Sequence, residues 1–258
     1  MSETWYKEDL AYIHDVGYRD YALKSTPAIL KILAENQLQE GLIVELGCGS
    51  GLSALELVKA NYQVLGIDLS ADLIAIARKR VPQAEFRVES LWKVEIPSCH
   101  AVISIGECLN YLFDTESDRP TILQLFHRIY QALISGGIFI FDIVEPGQVL
   151  PGTTTKSFNE GQDWIVLVEK QENPESNILT RRIITFRQVG AYYRRDDEIH
   201  HLQLYKSTEI AEALKQVGFQ VQIQHSYGEY NLRTAHAAFI ARKPIDSKSR
   251  SDMLDQNL

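Results

Sequence analysis

Cysteine is scarce in this chain. Three occur in 258 residues, Cys48, Cys99 and Cys108, with no CxxC spacing among them. So sparse and odd a set argues against a disulfide framework and against a structural zinc site. Long apolar runs are missing too. None approaches the roughly 20 residues that a membrane-crossing helix needs, and the opening stretch MSETWYKEDLAYIHD has no apolar core of the signal-peptide kind. A reducing cytoplasm is the expected compartment, with no membrane partner. Positive charge is in deficit: 26 Lys and Arg against 34 Asp and Glu leave a formal charge of −8. That balance argues against a nucleic-acid partner, because phosphate contacts need a basic surface. No internal repeat is visible.

What is present suits a folded globular chain. The 45% hydrophobic content can fill a core, and 23% charged residues fit a water-facing surface. Short apolar runs alternate with helical periodicity. LIVEL (42–46), YQVLGID (62–68), AEFRVE (84–89), HAVISIGE (100–107) and IFIFDIV (138–144) read as strands. GLSALELVKAN, SADLIAIARKRV (70–81) with a serine cap, and RPTILQLFHRIYQALI (119–134), stopped by Gly136 and Gly137, read as helices between them. This alternation predicts an α/β fold with a mostly parallel sheet covered on both faces. From about 157 to 206 the pattern breaks into three longer antiparallel strands, DWIVLVEKQ, ILTRRIITFRQV and EIHHLQLY, with ENPESN as a turn. A helix, STEIAEALKQVGF, then closes at Gly218, and two strands, QVQIQHSYG and AHAAFIARK, follow. Two stretches at the front, EDLAYIHDVGYRDYA and TPAILKILAEN, are expected to be helical.

The stretch LIVELGCGSGLSALEL ends a strand with Glu45 and then places glycines at 47, 49 and 51. Glycines there permit positive φ and let backbone amides approach a ligand, while the next helix points its positive end at it. A tight turn with no ligand is the plain alternative. Asp68 ends the second strand, where a carboxylate can accept from both hydroxyls of a ribose. Its other reading is an acid at the start of a helix. An adenosine-bearing ligand is the expectation. A dinucleotide fingerprint wants glycine at 52, where this chain has Leu52, and Glu45 adds negative charge where a pyrophosphate needs none. S-adenosylmethionine carries a sulfonium and an ammonium, which that charge suits.

VELGCGSG resembles motif I of the class I S-adenosylmethionine-dependent methyltransferases, LGIDLS their acidic second motif, and SGGIFIFDI the paired glycine before their fifth strand. The resemblance covers about residues 40–145. The flanks YKEDLAYIHDVGY and RRDDEIHHLQLY look like a small-molecule subgroup with an inserted β-layer and an N-terminal helix over the active site. It implies a Rossmann-like sheet of seven strands, helices on both faces, and an inserted antiparallel layer covering the site. It implies S-adenosylmethionine as cofactor and S-adenosylhomocysteine as product. Glu45, Gly47, Cys48 and Gly49 would surround the methionine part and Asp68 the ribose, with Leu69 on the adenine edge. Ser90 and Leu91 follow Glu89 where the family contacts adenine, though many members carry an aspartate there. Gly106 and Glu107 would lie next to the sulfonium. Tyr12, on the front helix, is expected to reach the cofactor.

The acceptor should sit beyond the carboxyl ends of the strands. Glu198 and His200 share one face of a strand while His201 faces away, and they are the expected catalytic pair. A polar strand facing solvent is the plain reading of the same residues. His14 and Tyr111 are further catalytic candidates, with Tyr18 beside His14, and Tyr227, Arg233 and His236 are weaker ones. The adjacent His200 and His201 cannot chelate one ion from an extended strand, so no metal is expected. The division expected is a helical lid at 1–40, a core at 41–150 and 207–243, an inserted cover at 151–206, and a disordered tail at 244–258. The activity expected is methyl transfer to N or O of a small molecule by a monomer or homodimer. The alternatives are a nucleic-acid or protein methyltransferase and a dinucleotide-binding oxidoreductase. Neither [DNS]PP[YF] nor a Pro-Cys nucleophile occurs after the fourth strand, where GECLNYLF stands.

Overall fold

In the computed structural model of the chain, residues 5–113 and 121–245 are described. Five strands build the parallel part of one sheet: β1 (Gly41–Leu46), β2 (Tyr62–Asp68), β3 (Glu85–Val88), β4 (Cys99–Ser104) and β5 (Leu133–Val144). β10 (Gln220–Gln224) and β13 (His236–Arg242) complete it, in the order β10-β13-β5-β4-β1-β2-β3. β13 runs antiparallel to both of its neighbours. The fold class is the expected one, seven strands with a parallel core. The order reverses between β1 and β4, and at such a switch point the strand ends part to leave a crevice.

Alternation along β5 shows why its run is apolar throughout. Ile138 and Ile140 pack to one side, with Ile29 and Leu33 of α2 (Asp20–Glu35), Leu57 of α3 (Leu52–Lys59) and Ile74 of α4 (Ala71–Arg80). Phe139 and Phe141 pack to the other, with Phe126 of α5 (Ile122–Ala132) and Leu214 of α6 (Ser207–Val217). A strand buried on both faces has no place for a polar residue unless it is paired, which makes Asp142 in this strand conspicuous.

Boundaries differ from expectation at several places, among them β4, which ends at Ser104 and leaves Gly106 and Glu107 in the turn after it, and α1 (Glu8–Gly17), which stops short of residue 22. α2 starts at Asp20 and runs through Pro27, where the second front helix is expected only from Thr26. α5 ends at Ala132, so the Gly136–Gly137 pair lies inside β5 and stops no helix; a Cβ on Gly137 would come within 3.0 Å of two backbone oxygens, and the glycine serves that close approach. A short hairpin of β11 (Ser226–Tyr227) and β12 (Tyr230–Asn231) precedes β13. The inserted layer has four strands, β6 (Thr155–Glu160), β7 (Trp164–Asn173), β8 (Ile178–Val189) and β9 (Tyr192–Gln203), each antiparallel to the next. β6 escapes a reading by pattern because all six of its residues are exposed and TKSFNE shows no apolar alternation. Most of the expected tail, from 246 on, and residues 119–120 of the expected helix lie outside the described residues.

One face of the four-stranded sheet turns toward the strand ends of the main sheet. Trp164, Val166 and Ile183 on that face meet Leu10 and Ile13 of α1 (Glu8–Gly17). The front helix and the inserted layer thus form one apolar seam over the crevice.

Candidate active site

The crevice begins at the glycine turn. Gly47 and Cys48 donate their amides to the Ile67 carbonyl at 2.7 and 2.9 Å, tying the turn to the end of β2. Gly47 has φ +79°, and a Cβ there would lie 2.3 Å from the Cys108 sulfur, so only glycine fits. The amides of Gly49 and Ser70 donate to the two oxygens of Asp68, at 2.8 and 2.9 Å. Each oxygen keeps a second lone pair, and the carboxylate lines the cavity. Glu45 is 2% exposed, and its Oε2 has no hydrogen-bond partner among the described residues. Burial pushes its pKa up to about 8, against a smaller opposing effect of the Ser53 hydroxyl. A buried carboxylate oxygen with no partner among the described residues is matched by a cationic donor.

Across the crevice stands the turn after β4, held from beneath by Asp142 of β5. The Asp142 carboxylate accepts from the amides of Gly106 and Glu107, at 3.0 and 2.7 Å, and from the hydroxyls of Tyr21 and Tyr227, at 2.8 and 3.1 Å. Those bonds keep Glu107 at φ +67°, in the left-handed region, where a non-glycine residue stays only if its surroundings hold it. Glu107 then meets two cations. Arg181 pairs with it at 2.7 Å and His236 at 2.9 Å. Burial works to raise the Glu107 pKa, and Arg181 and His236 together outweigh it, holding the carboxyl down to about 2. His236 faces the Thr234 carbonyl with Nδ1 and the Glu107 carboxylate with Nε2. Both partners only accept, so both ring nitrogens donate and the imidazole is an imidazolium. Burial opposes that charge, but Glu107 prevails and raises its pKa.

The segment before α1 closes the third side. The Tyr6 and Lys7 amides donate to Glu198 at 2.9 and 3.0 Å, the Ser70 hydroxyl donates to the Tyr6 carbonyl, and the Tyr6 and Tyr111 hydroxyls bond each other at 2.9 Å. Burial raises the pKa of both phenols, that of Tyr111 to about 12, so both stay neutral. Asp15 of α1 accepts from the Ser50 hydroxyl and pairs with Arg80 at 2.8 Å. Together these walls enclose a cavity of about 670 Å³, which reaches from the glycine turn to the underside of the inserted sheet. Such a volume lies within the range of cofactor and ligand sites.

Comparison with known proteins agrees with this geometry. A family model for a methyltransferase domain matches residues 43–137, the span from β1 through the glycine pair of β5. YqeM of Bacillus subtilis (strain 168), a methyltransferase by name, is 25% identical over 191 residues, 71% of this chain and 75% of its own. A Streptomyces venezuelae dTDP-3-amino-3,4,6-trideoxy-alpha-D-glucopyranose N,N-dimethyltransferase is 21% identical over 232 residues, 84% of this chain and 92% of its own. The crystal structure of an S-adenosylmethionine-dependent methyltransferase from Clostridium acetobutylicum ATCC 824 superposes with a TM-score of 0.76 at 20% identity, over 91% of this chain and 97% of that one. The chain carries a methyltransferase domain, in the fold of the class I enzymes.

In this methyltransferase the residues expected around the cofactor fall together. Glu45, Gly47, Cys48, Gly49, Asp68, Leu69, Ser90, Leu91, Gly106 and Glu107 all line the one cavity, as do His14 and Tyr111. Tyr12 does not line it. Its hydroxyl donates to Asp163 at 3.0 Å and the Arg187 guanidinium lies 3.8 Å above its ring, so it fastens α1 to the inserted sheet. Glu198 and His200 do share a face, both buried while Ile199 and His201 are exposed, but neither lines the cavity. β9 is the edge strand, and its inward face is covered by the N-terminal segment. Glu198 binds that segment's amides and the His200 ring nitrogen at 2.8 Å, while His200, fully buried, lies among Trp5, Tyr6, Tyr111 and Phe113. Tyr227 lies behind the wall as a donor to Asp142, whereas Arg233 and His236 line the cavity.

Four residues that the sequence reading passed over shape the methyltransferase site: Tyr6, Asp142, Lys170 and Arg181. For two of them a signal existed. Asp142 is a lone acid in an otherwise apolar strand, and Arg181–Arg182 are adjacent in a strand, so one of the two must face inward. Arg182 takes the solvent side, pairing with Asp197 at 2.9 Å, and Arg181 takes the cavity.

Proposed function

We propose that this methyltransferase uses S-adenosylmethionine, bound at the glycine turn, to methylate a nitrogen or oxygen of a small molecule held beneath the inserted sheet. The continuous cavity carries this reading: one room joins the crevice at the β1–β4 switch point to the walls given by the insert and the front helix. The residues fit the cofactor. Glu45 offers an unpartnered carboxylate oxygen to the ammonium, and Asp68 offers one lone pair from each oxygen to the two ribose hydroxyls. Gly49 and Gly106 leave open space where any side chain would stand. The Streptomyces venezuelae relative, named for an amino-sugar nucleotide, aligns over most of both chains and supports a compact acceptor.

When bound, the cofactor supplies a methyl group on a sulfonium, open to in-line attack. The protein's part is chiefly alignment, which can contribute roughly 7–11 kcal/mol when two reactants are well oriented. The Gly106–Glu107 turn, fixed by Asp142, forms the wall opposite the glycine turn. The Tyr6–Tyr111 phenols, both neutral, donate and accept hydrogen bonds without taking a proton. His14 is the proton acceptor in this reading. It lines the cavity, its Nδ1 is buried without a partner among the described residues, and burial lowers its pKa against a weaker effect of Asp15, so the ring is neutral. His236, already an imidazolium, has no free lone pair.

Thermal unfolding with S-adenosylhomocysteine and with NADH tests the cofactor. The homocysteine product should raise the melting temperature of the wild type and NADH should not. Asp68→Ala should reduce that rise by the equivalent of at least a tenfold loss of affinity. Stabilisation by NADH alone would overturn the reading.

A further inference from the structure

The two ends of the cavity carry opposite charge. Glu45, Asp68 and Glu89 stand at the glycine-turn end, on or just after β1, β2 and β3, while two further lining acids, Asp20 and Glu160, are exposed. At the other end four basic groups line the wall around a single acid, Glu107. Lys170 and Arg181 are direct cross-strand partners on β7 and β8, and so project from the same face. His236 starts β13, and Arg233 precedes it by three residues. Glu107 is already engaged by Arg181 and His236. Among the described residues neither Lys170 nor Arg233 has an ion-pair partner. Lys170 is partly buried, and its ammonium is held below its ordinary pKa by burial first and then by Arg181, with Arg233 adding to the effect. The surrounding wall is apolar, with Val166, Val168 and Ile183 on the same sheet face.

A partly buried ammonium with no counter-ion, that of Lys170, is costly in itself, whereas Arg233 is exposed; the Arg181 guanidinium beside the ammonium matches the oxygens of a carboxylate or phosphate. We propose that the methyl acceptor is an anion, a small molecule bearing a carboxylate or phosphate that docks against Lys170, Arg181, Arg233 and His236. The inserted sheet then does more than cover the site: β7 and β8 select the acceptor by charge. This rests on the methyl-transfer reading of the same cavity. Because Glu107 neutralises part of the cluster, the anion meets mainly Lys170 and Arg233, while Arg181 and His236 hold the wall in place.

The test uses the full chain loaded with S-adenosylhomocysteine, titrated calorimetrically with pyrophosphate and with citrate at constant ionic strength, chloride being the control. At least one anion should bind above chloride. Which one does so identifies the group, phosphate or carboxylate. The double variant Lys170→Met, Arg233→Met should weaken that binding at least tenfold, and Lys170→Arg should stay within threefold of wild type. Affinity for S-adenosylhomocysteine should change less than threefold in both, which also shows that they fold. If the cofactor product binds but neither anion does, or if the double variant binds the anion as tightly as wild type, the anionic-acceptor proposal is overturned and the methyl-transfer reading stands. If S-adenosylhomocysteine fails to bind the wild type, the cofactor reading falls and takes this proposal with it.

Discussion

Glu45 and Glu107 are both buried carboxyls on one cavity, and their surroundings push them in opposite directions. Glu107 has two cations at hydrogen-bond distance and stays ionised. Among the described residues Glu45 has none, and its pKa rises to about 8. A folded pKa above the unfolded value of about 4.5 means that the folded state favours the proton. The stability contributed by Glu45 is therefore full below the ordinary carboxylate range and is lost as pH rises toward 8. Between pH 5 and 8 the melting temperature of the unliganded wild type should fall more steeply than that of Glu45→Gln, which has no proton to lose. Superimposable curves would contradict the assignment. His14 titrates on the other side of neutrality. Its depressed pKa places the acidic limb of the rate profile below the ordinary histidine range, near 6.5. His14→Gln should lower turnover at least tenfold and remove that limb, with affinity for S-adenosylhomocysteine changed less than threefold. A wild-type rate would retire the proton-acceptor role.

At the scale of elements, the N-terminal segment is fastened at several points. Ser70 and Glu198 hold its backbone, Asp15 of α1 is tied to Ser50 and Arg80, and Asp9 is paired with Arg187 and Arg194. Glu198→Ala removes the acceptor of two amides and the partner of His200, at a cost of about 1.5–3 kcal/mol for a hydrogen bond to a charged group. Hydrogen exchange at Tyr6 and Lys7 should accelerate more than tenfold, while exchange in β1 and β2 stays unchanged. Unaltered protection at Tyr6 would show that Glu198 does not hold the segment. Periodicity identified the strands and helices of the main sheet because most of them bury a face. It could not place Glu198 and His200 correctly, because alternation reports which face a residue shares and not what covers that face. β9 shares its inward face with Lys170 and Arg181, yet the segment around Tyr6 covers it, and that contact joins residues 191 or more positions apart.

At the scale of the whole molecule, the part of the site nearest the glycine turn was legible because it is local. Strand, turn and helix follow one another in the chain, so Glu45, Gly47, Gly49 and Asp68 carry their meaning in their spacing. The opposite wall was legible only in part: Gly106, Glu107 and His236 were expected near the site, but the pairing of Glu107 with Arg181 was not. Arg181, Glu107 and His236 come from three distant elements, and only the pairing of β13 with β5 and the fold-over of the insert bring them together. Asp142 links the two scales, with a carboxylate inside a strand core fixing the turn on which Glu107 sits. The most direct measurement is a crystal structure with S-adenosylhomocysteine. Its ribose hydroxyls should lie on Asp68 and its sulfur between the glycine turn and Gly106, facing the Lys170–Arg181 end of the cavity. Density for the ligand elsewhere, with the glycine turn bare, would contradict the central claim.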